Sequence, residues 1–268
     1  MKQEQLEALV GPIEEISREV GAFLLEERQH FDREKIEHKG RNNLVSYVDE
    51  QAEKRFVSAL SELFPEAGFI AEEGTGTAVE DGYNWVIDPL DGTTNFIHNI
   101  PVFCTSVALV KDGVPVIGVI YDPTHDELFS AVDGKPATLN GESMKVSVVS
   151  ELSEMLMLTG FPYDAKGLLA ANLMVIEELI KKSRGIRRLG SAALDLCYVA
   201  CGRADGMYEY GLSAWDVAAG ACIVRQAGGV VNDFENNHNP LFSQQLIAGS
   251  PAAFKELLPV VQTHFLNR

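Results

Sequence analysis

Carboxylates at the ends of short apolar runs are the residues most able to do chemistry in this sequence. The string Asp88-Pro89-Leu90-Asp91-Gly92-Thr93-Thr94-Asn95 follows directly on Trp85-Val86-Ile87. That run reads as a buried strand that delivers Asp88 at its end. Pro89 biases Asp88 towards an extended backbone and fixes the turn. Asp91 follows within the turn, so both carboxylates can face one point, with the Leu90 carbonyl between them. Hard oxygen ligands at this density suit Mg²⁺ or Mn²⁺. Gly92 lets the chain turn closely, and a helix starting there would aim the N–H groups of Gly92 and Thr93 at an anion. A bare Pro-x-Asp-Gly is also an ordinary surface turn. The full eight-residue string behind a buried strand is far more specific.

Glu72-Glu73 closes a second run, Gly68-Phe69-Ile70-Ala71. Such a pair also fits a solvated loop. If the two strands end on the same side, Glu72 joins Asp88 and Asp91, and repulsion among three carboxylates calls for a cation. Asp216, in Trp215-Asp216-Val217-Ala218-Ala219-Gly220, stands at a helix start. A carboxylate there is also explained by the helix dipole, worth about 0.3–1 kcal/mol. Asp49, before Glu50-Gln51-Ala52, is adequately read as a helix N-cap. No Ser-His-Asp or Cys-His constellation supports a covalent mechanism.

The elements that must carry these residues can be read along the chain. Residues 5–28 have helical apolar spacing, with Pro12 predicting a kink or a true start near that position. The stretch His38-Lys39-Gly40-Arg41-Asn42-Asn43 reads as a mobile loop, and a second helix opens at Asp49 and stops at Pro65. Residues 105–111 and 114–121 form a hairpin about Asp112-Gly113, with further turn signals at Asp133-Gly134 and Asn140-Gly141. The first half is therefore a largely antiparallel sheet backed by helices. The second half alternates: strand 155–159, helix 165–182, short strand 186–189, helix 191–201, strand 207–210, helix 215–226, strands from Gly228 and at Leu246, and a last helix capped by Ser250-Pro251. This is a compact α/β layered fold, taken as a single domain over residues 1–268 with halves of roughly 1–150 and 151–268.

Composition sets outer limits. A chain of 268 residues, 46% hydrophobic, can bury a large core. No apolar run reaches the length of a membrane span, and the polar start MKQEQLEALV has no secretory pattern, which points to the cytoplasm. Cys104, Cys197, Cys201 and Cys222 lack CxxC spacing and read as reduced core thiols. A net charge of −17 disfavours nucleic-acid backbones and anionic membranes as partners. It also means that a phosphate ligand needs local cations.

The Glu-Glu pair, then Asp-Pro-Leu-Asp-Gly-Thr-Thr, then Trp-Asp, then Gly228-Gly229, in this order, resembles the inositol monophosphatase family of lithium-sensitive, Mg²⁺-dependent phosphatases. The likeness spans roughly residues 5–265, and Arg187-Arg188-Leu189-Gly190-Ser191-Ala192-Ala193 is similar to its inositol monophosphatase branch. The resemblance implies a layered α-β-α-β-α sandwich, a homodimer, and hydrolysis of a small phosphorylated polyol or sugar without a covalent intermediate. It implies two or three Mg²⁺ ions, with Mn²⁺ as a substitute. Glu72, Asp88 and the Leu90 carbonyl would hold one ion; Asp88, Asp91 and Asp216 a second; Glu72 would touch a third, and Glu73 would act through water. Thr93, paired with Asp49, would activate the attacking water. Asp91, Gly92, Thr93, Ala192, Glu209 and Asp216 would meet the substrate, although Glu209 also reads as an exposed strand end. Asn43-Leu44-Val45-Ser46 stands where the family commonly has Asp-Leu-Val-Thr. Lys39 lies where the family has a lysine loop, and a solvated lysine fits equally. Arg184, Arg187 and Arg188 could face solvent, a second phosphate or a partner subunit. Fructose-bisphosphatases and nucleotide 3′-phosphatases share the expected metal core, and an interaction protein that keeps the fold without catalysis is the alternative of another class.

Overall fold

The computed structural model describes residues 1–30, 36–40, 43–161 and 167–266. Arg41, Asn42 and the side chain of Lys39 lie outside these residues.

Helix α1 (Gln3–Gln29) buries Leu6, Ile13, Val20 and Leu24 along one stripe. It starts well before Pro12 and continues through it, so of the expected kink or start near that residue the start does not hold. Only the Ala8 carbonyl loses its intrahelical donor there. Strands β1 (Ile36–Gly40) and β2 (Asn43–Ser46) pair antiparallel where a loop was expected. Helix α2 (Tyr47–Leu63) begins two residues before Asp49, so Asp49 lies inside the first turn and is not the N-cap.

Strands β3 (Gly68–Ala71) and β4 (Tyr83–Asp91) follow, then the short helix α3 (Thr93–Ile97). The meander β5 (Cys104–Lys111), β6 (Val114–Asp122), β7 (Glu127–Val132), β8 (Thr138–Leu139) and β9 (Glu142–Ser143) completes a seven-stranded sheet in sequence order. Only β3 and β4 are parallel in it; the other pairs are antiparallel. The turn residues Asp112 and Gly113 both have positive φ, as a two-residue hairpin requires.

The second half comprises β10 (Leu156–Thr159), α4 (Leu169–Lys182), β11 (Gly185–Arg187), α5 (Ala192–Ala200), β12 (Gly206–Tyr210), α6 (Ala214–Gln226), β13 (Val230–Asn232), β14 (Gln245–Gly249) and α7 (Pro251–Phe265). Its strands form a five-stranded sheet in the order β11-β10-β12-β14-β13.

Three apolar clusters give the layers. Helices α1 and α2 cover one face of the large sheet through Phe56, Leu60, Trp85 and Ile117. Helices α5 and α6 lie between the two sheets, with Leu196, Val199, Ile223 and Val224 packed on Ala108, Ile120 and Met207. Helices α4 and α7 cover the far face of the small sheet through Val175, Leu257, Tyr208 and Ile247. The result is the expected α-β-α-β-α sandwich. Its middle layer has no polar face, which explains why almost every residue of α5 is buried. Among the described residues no helix is long and apolar enough to cross a membrane. All four cysteines are free, three of them buried.

Candidate active site

Strand polarity brings the acidic residues together. Because β3 and β4 run parallel, Ala71 pairs with Ile87, and Glu72, just past the end of β3, comes beside Asp88 of β4. The ladder between β4 and β5 shifts register between Asp88 and Asp91. Pro89 falls inside that irregularity, where a missing N–H costs no ladder bond. The Asp88 carboxylate accepts from the Leu90 N–H at 3.0 Å, which closes the turn. Gly92 then takes φ +97°, and a Cβ there would press on the Val102 carbonyl at 2.8 Å. Only glycine satisfies both demands.

Asp216 arrives from the other side, on the first turn of α6. It accepts from the Ser213 N–H at 2.6 Å, so it fills its helix-capping role and faces the cluster at once. Carboxylate oxygens of Asp88, Asp91 and Asp216 lie within 4.8 Å of one another. Glu72 shares a hydrogen bond with Asp88. Burial, then the Asp216 charge, pushes Glu72 up to about 8. Burial and the Asp91 charge push Asp216 up to about 7. Asp88 rises well above the carboxylate range through burial and the charges of Glu72, Asp91 and Asp216. Such a set holds protons or hard cations in preference to standing bare. The donors are all oxygen, with the Leu90 carbonyl beside them, so the residues fit a divalent cation of the Mg²⁺ type.

The supporting contacts are specific. Thr93 Oγ1 lies 3.1 Å from Asp49 Oδ1 and 3.0 Å from the Leu90 carbonyl. Asp49 is 1% exposed. Asp91 accepts from Ser191 Oγ and from the Ala193 N–H, both at 2.7 Å, and these donors offset its upward shift from burial. Asn95 donates to the Val102 and Leu189 carbonyls, tying α3 to the approach of α5. Together these walls enclose a cavity of about 240 Å³, lined also by Gly92, Thr93, Ala192, Arg188 and Glu209. Glu209 is thus drawn into the site instead of lying exposed, and burial pushes it up to about 8.

Three residues of this arrangement escape sequence reading. Glu53, fully buried one turn beyond Asp49, accepts from the N–H groups of Glu73 and Thr75 at 2.7 and 2.8 Å. It pins the loop that carries Glu72. Its signal was the four-residue step from Asp49, which puts both carboxylates on one helix face. Ser191 and Asp195 repeat that step on α5.

The pattern of the inositol monophosphatase family matches residues 5–265. The chain belongs to this family. It is 39% identical over 243 residues to the Nus factor SuhB of Escherichia coli K12, covering 90% of this chain and 91% of the relative. The extragenic suppressor protein suhB of Bartonella henselae superposes with a TM-score of 0.90 at 37% identity, over 95% of this chain and 98% of the other. An inositol monophosphatase from Anabaena superposes with a TM-score of 0.87 at 36% identity, over 97% of both chains. Family membership identifies a phosphatase scaffold with a metal-binding acidic cluster, one that acts on small phosphorylated substrates.

Proposed function

We propose that this protein hydrolyses inositol monophosphate, or a closely related phosphorylated polyol, with Mg²⁺ in the acidic cluster. The observation that carries this reading is the convergence of Glu72, Asp88, Asp91 and Asp216 at one end of the cavity, each disfavoured as a bare anion by burial, and Glu72, Asp88 and Asp216 also by the charges of their neighbours. Glu72, Asp88 and the Leu90 carbonyl would hold one ion, and Asp88, Asp91 and Asp216 a second. Glu72 would also border a third, and Mn²⁺ would be a workable substitute. Divalent ions bound there neutralise the phosphate and raise the acidity of the attacking water.

The chain's own groups do the rest. The Thr93 hydroxyl donates a hydrogen bond to Asp49, which leaves Thr93 Oγ1 as an acceptor that orients the water. The backbone at Gly92 and Thr93 borders the phosphate position. Asp91, Ala192, Glu209 and Asp216 meet the alcohol portion, whose hydroxyls suit carboxylate acceptors. The water displaces the alkoxide directly, with no phosphoenzyme.

Phosphate release from inositol 1-phosphate, fructose 1,6-bisphosphate and adenosine 3′,5′-bisphosphate, each with Mg²⁺ and with chelator, tests this. Metal-dependent release, fastest from inositol 1-phosphate and sensitive to lithium, is expected. A preference for either bisphosphate would move the substrate assignment to another branch of the superfamily. The name Nus factor borne by the Escherichia coli relative favours a second, non-catalytic role in binding another macromolecule. Every carboxylate of the cluster is retained, so that role would add to catalysis and not replace it.

A further inference from the structure

The cavity has a second acidic wall, built from α5 and β12, beside the crowded cluster on β3, β4 and α6. Asp195 belongs to it. Asp195 lies one helical turn beyond Ser191, and therefore on the face whose Ser191 hydroxyl donates to Asp91 at 2.7 Å. It lines the cavity and is 1% exposed. Its Oδ1 is buried with no hydrogen-bond partner among the described residues.

Among the described residues no donor reaches Asp195 Oδ1. Ala192, Ala193, Leu194, Leu196 and Cys197, its neighbours along α5, are buried and apolar or nearly so. The charged groups that act on it are Glu209 and Asp91, of like sign, and Arg188, of opposite sign. The Arg188 guanidinium rests over the Phe161 ring, 5.8 Å from its centroid, and makes no ion pair with Asp195. Glu209 reaches the cavity over Gly160, where a Cβ would collide with its carboxylate. Neither Asp195 nor Glu209 belongs to the cluster whose oxygens converge closely enough for a shared ion. A buried acceptor without a donor is an unmet demand. Hydroxyl groups of a bound alcohol would meet it.

We propose that Asp195 is a specificity-determining residue, which with Glu209 accepts hydrogen bonds from hydroxyls of the substrate's alcohol portion. The pair selects phosphorylated polyols over esters whose alcohol carries no hydroxyl. This rests on the phosphatase reading above and adds to it a residue and a basis for selection.

The test compares inositol 1-phosphate with p-nitrophenyl phosphate, which uses the same phosphate site and has no free hydroxyl. Asp195→Ala is expected to raise KM for inositol 1-phosphate about tenfold or more, with kcat little changed. Inhibition by free inositol should weaken in parallel. Both constants for p-nitrophenyl phosphate should stay at wild-type values, which also reports that the variant is folded. Asp195→Asn, of equal size and with one acceptor kept, should lose less than Asp195→Ala. Equal losses on both esters would make Asp195 a structural residue and overturn the proposal, as would an unchanged KM for inositol 1-phosphate. A wild-type protein that cleaves p-nitrophenyl phosphate alone overturns selection for polyols. One that cleaves neither ester overturns the phosphatase reading itself.

Discussion

The two acidic walls of the cavity are built from the same residue types and differ in spacing. Around the ends of β3, β4 and α6, Glu72, Asp88, Asp91 and Asp216 crowd one point, and beyond burial the charges of Glu72, Asp91 and Asp216 raise others in the set. On α5 and β12, Asp195 and Glu209 are likewise raised by burial and by nearby carboxylates, but Arg188 opposes the shift, and neither belongs to the oxygens that converge closely enough for a shared ion. Crowding creates a demand for positive charge that hydrogen-bond donors cannot meet. Separation creates a demand for donors alone. One wall is thus suited to cations and phosphate, the other to hydroxyls.

Substitutions should separate the walls by the quantity that each one changes. Asp91→Asn is expected to lower turnover by about 10³-fold or more for every phosphate ester alike, polyol or not, because it removes charge from the crowded wall. Circular dichroism should show an intact fold, and normal turnover would remove Asp91 from the site. A smaller effect is expected from Glu53→Gln. Glu53 holds the Glu73 and Thr75 N–H groups, so its loss loosens Glu72 without deleting it. Apparent Mg²⁺ affinity should fall roughly 10- to 100-fold, the usual cost of losing a support behind a metal ligand. Activity should recover at high Mg²⁺, which a purely structural defect would not show. On the other wall, Gly160→Ala would push the Glu209 carboxylate out of its seat. KM for inositol 1-phosphate should rise about tenfold, with Mg²⁺ dependence unchanged. A changed Mg²⁺ dependence there would mean that the walls are not independent.

The crowded wall was far more legible in the sequence than the other. Asp88 and Asp91 share one turn, and the strand before them is a plain apolar run, so local reasoning sufficed. Glu72 needed one further fact, the parallel pairing of β3 with β4, which spacing alone does not give. Asp49 and Asp216 had adequate local explanations as helix-end charges. Asp216 does serve its helix, and Asp49 does not cap α2. Asp195 carried only the four-residue step from Ser191, since one acid inside an apolar helix acquires meaning only when α5 is placed between two sheets. Pro12 misled because its cost falls on one carbonyl of a helix held by tertiary packing. The hairpin of β1 and β2 was missed because its polar sequence has no alternating pattern to report it.

The smallest expected effect is thermal, and it separates the walls without catalysis. Folded-state values near 8 for Glu72 and near 7 for Asp216 lie above the ordinary values of 4.5 and 3.8 that the unfolded chain retains. Such groups bind protons more tightly when folded. Their contribution is therefore fully present below about pH 4 and is lost as pH rises towards 8. Metal-free protein should melt at lower temperature at pH 8 than at pH 5. Added Mg²⁺ should reverse this, by about 2.7 kcal/mol at a hundredfold excess over Kd, or roughly 5–10 °C. The increment should grow with pH, because protons compete with the ion. Glu209, also pushed up to about 8, adds its own share of the slope. Glu209→Gln should flatten the metal-free slope and leave the Mg²⁺ increment untouched, whereas Asp88→Asn should reduce both. An equal response from the two variants would show a single acidic basin where the geometry draws two.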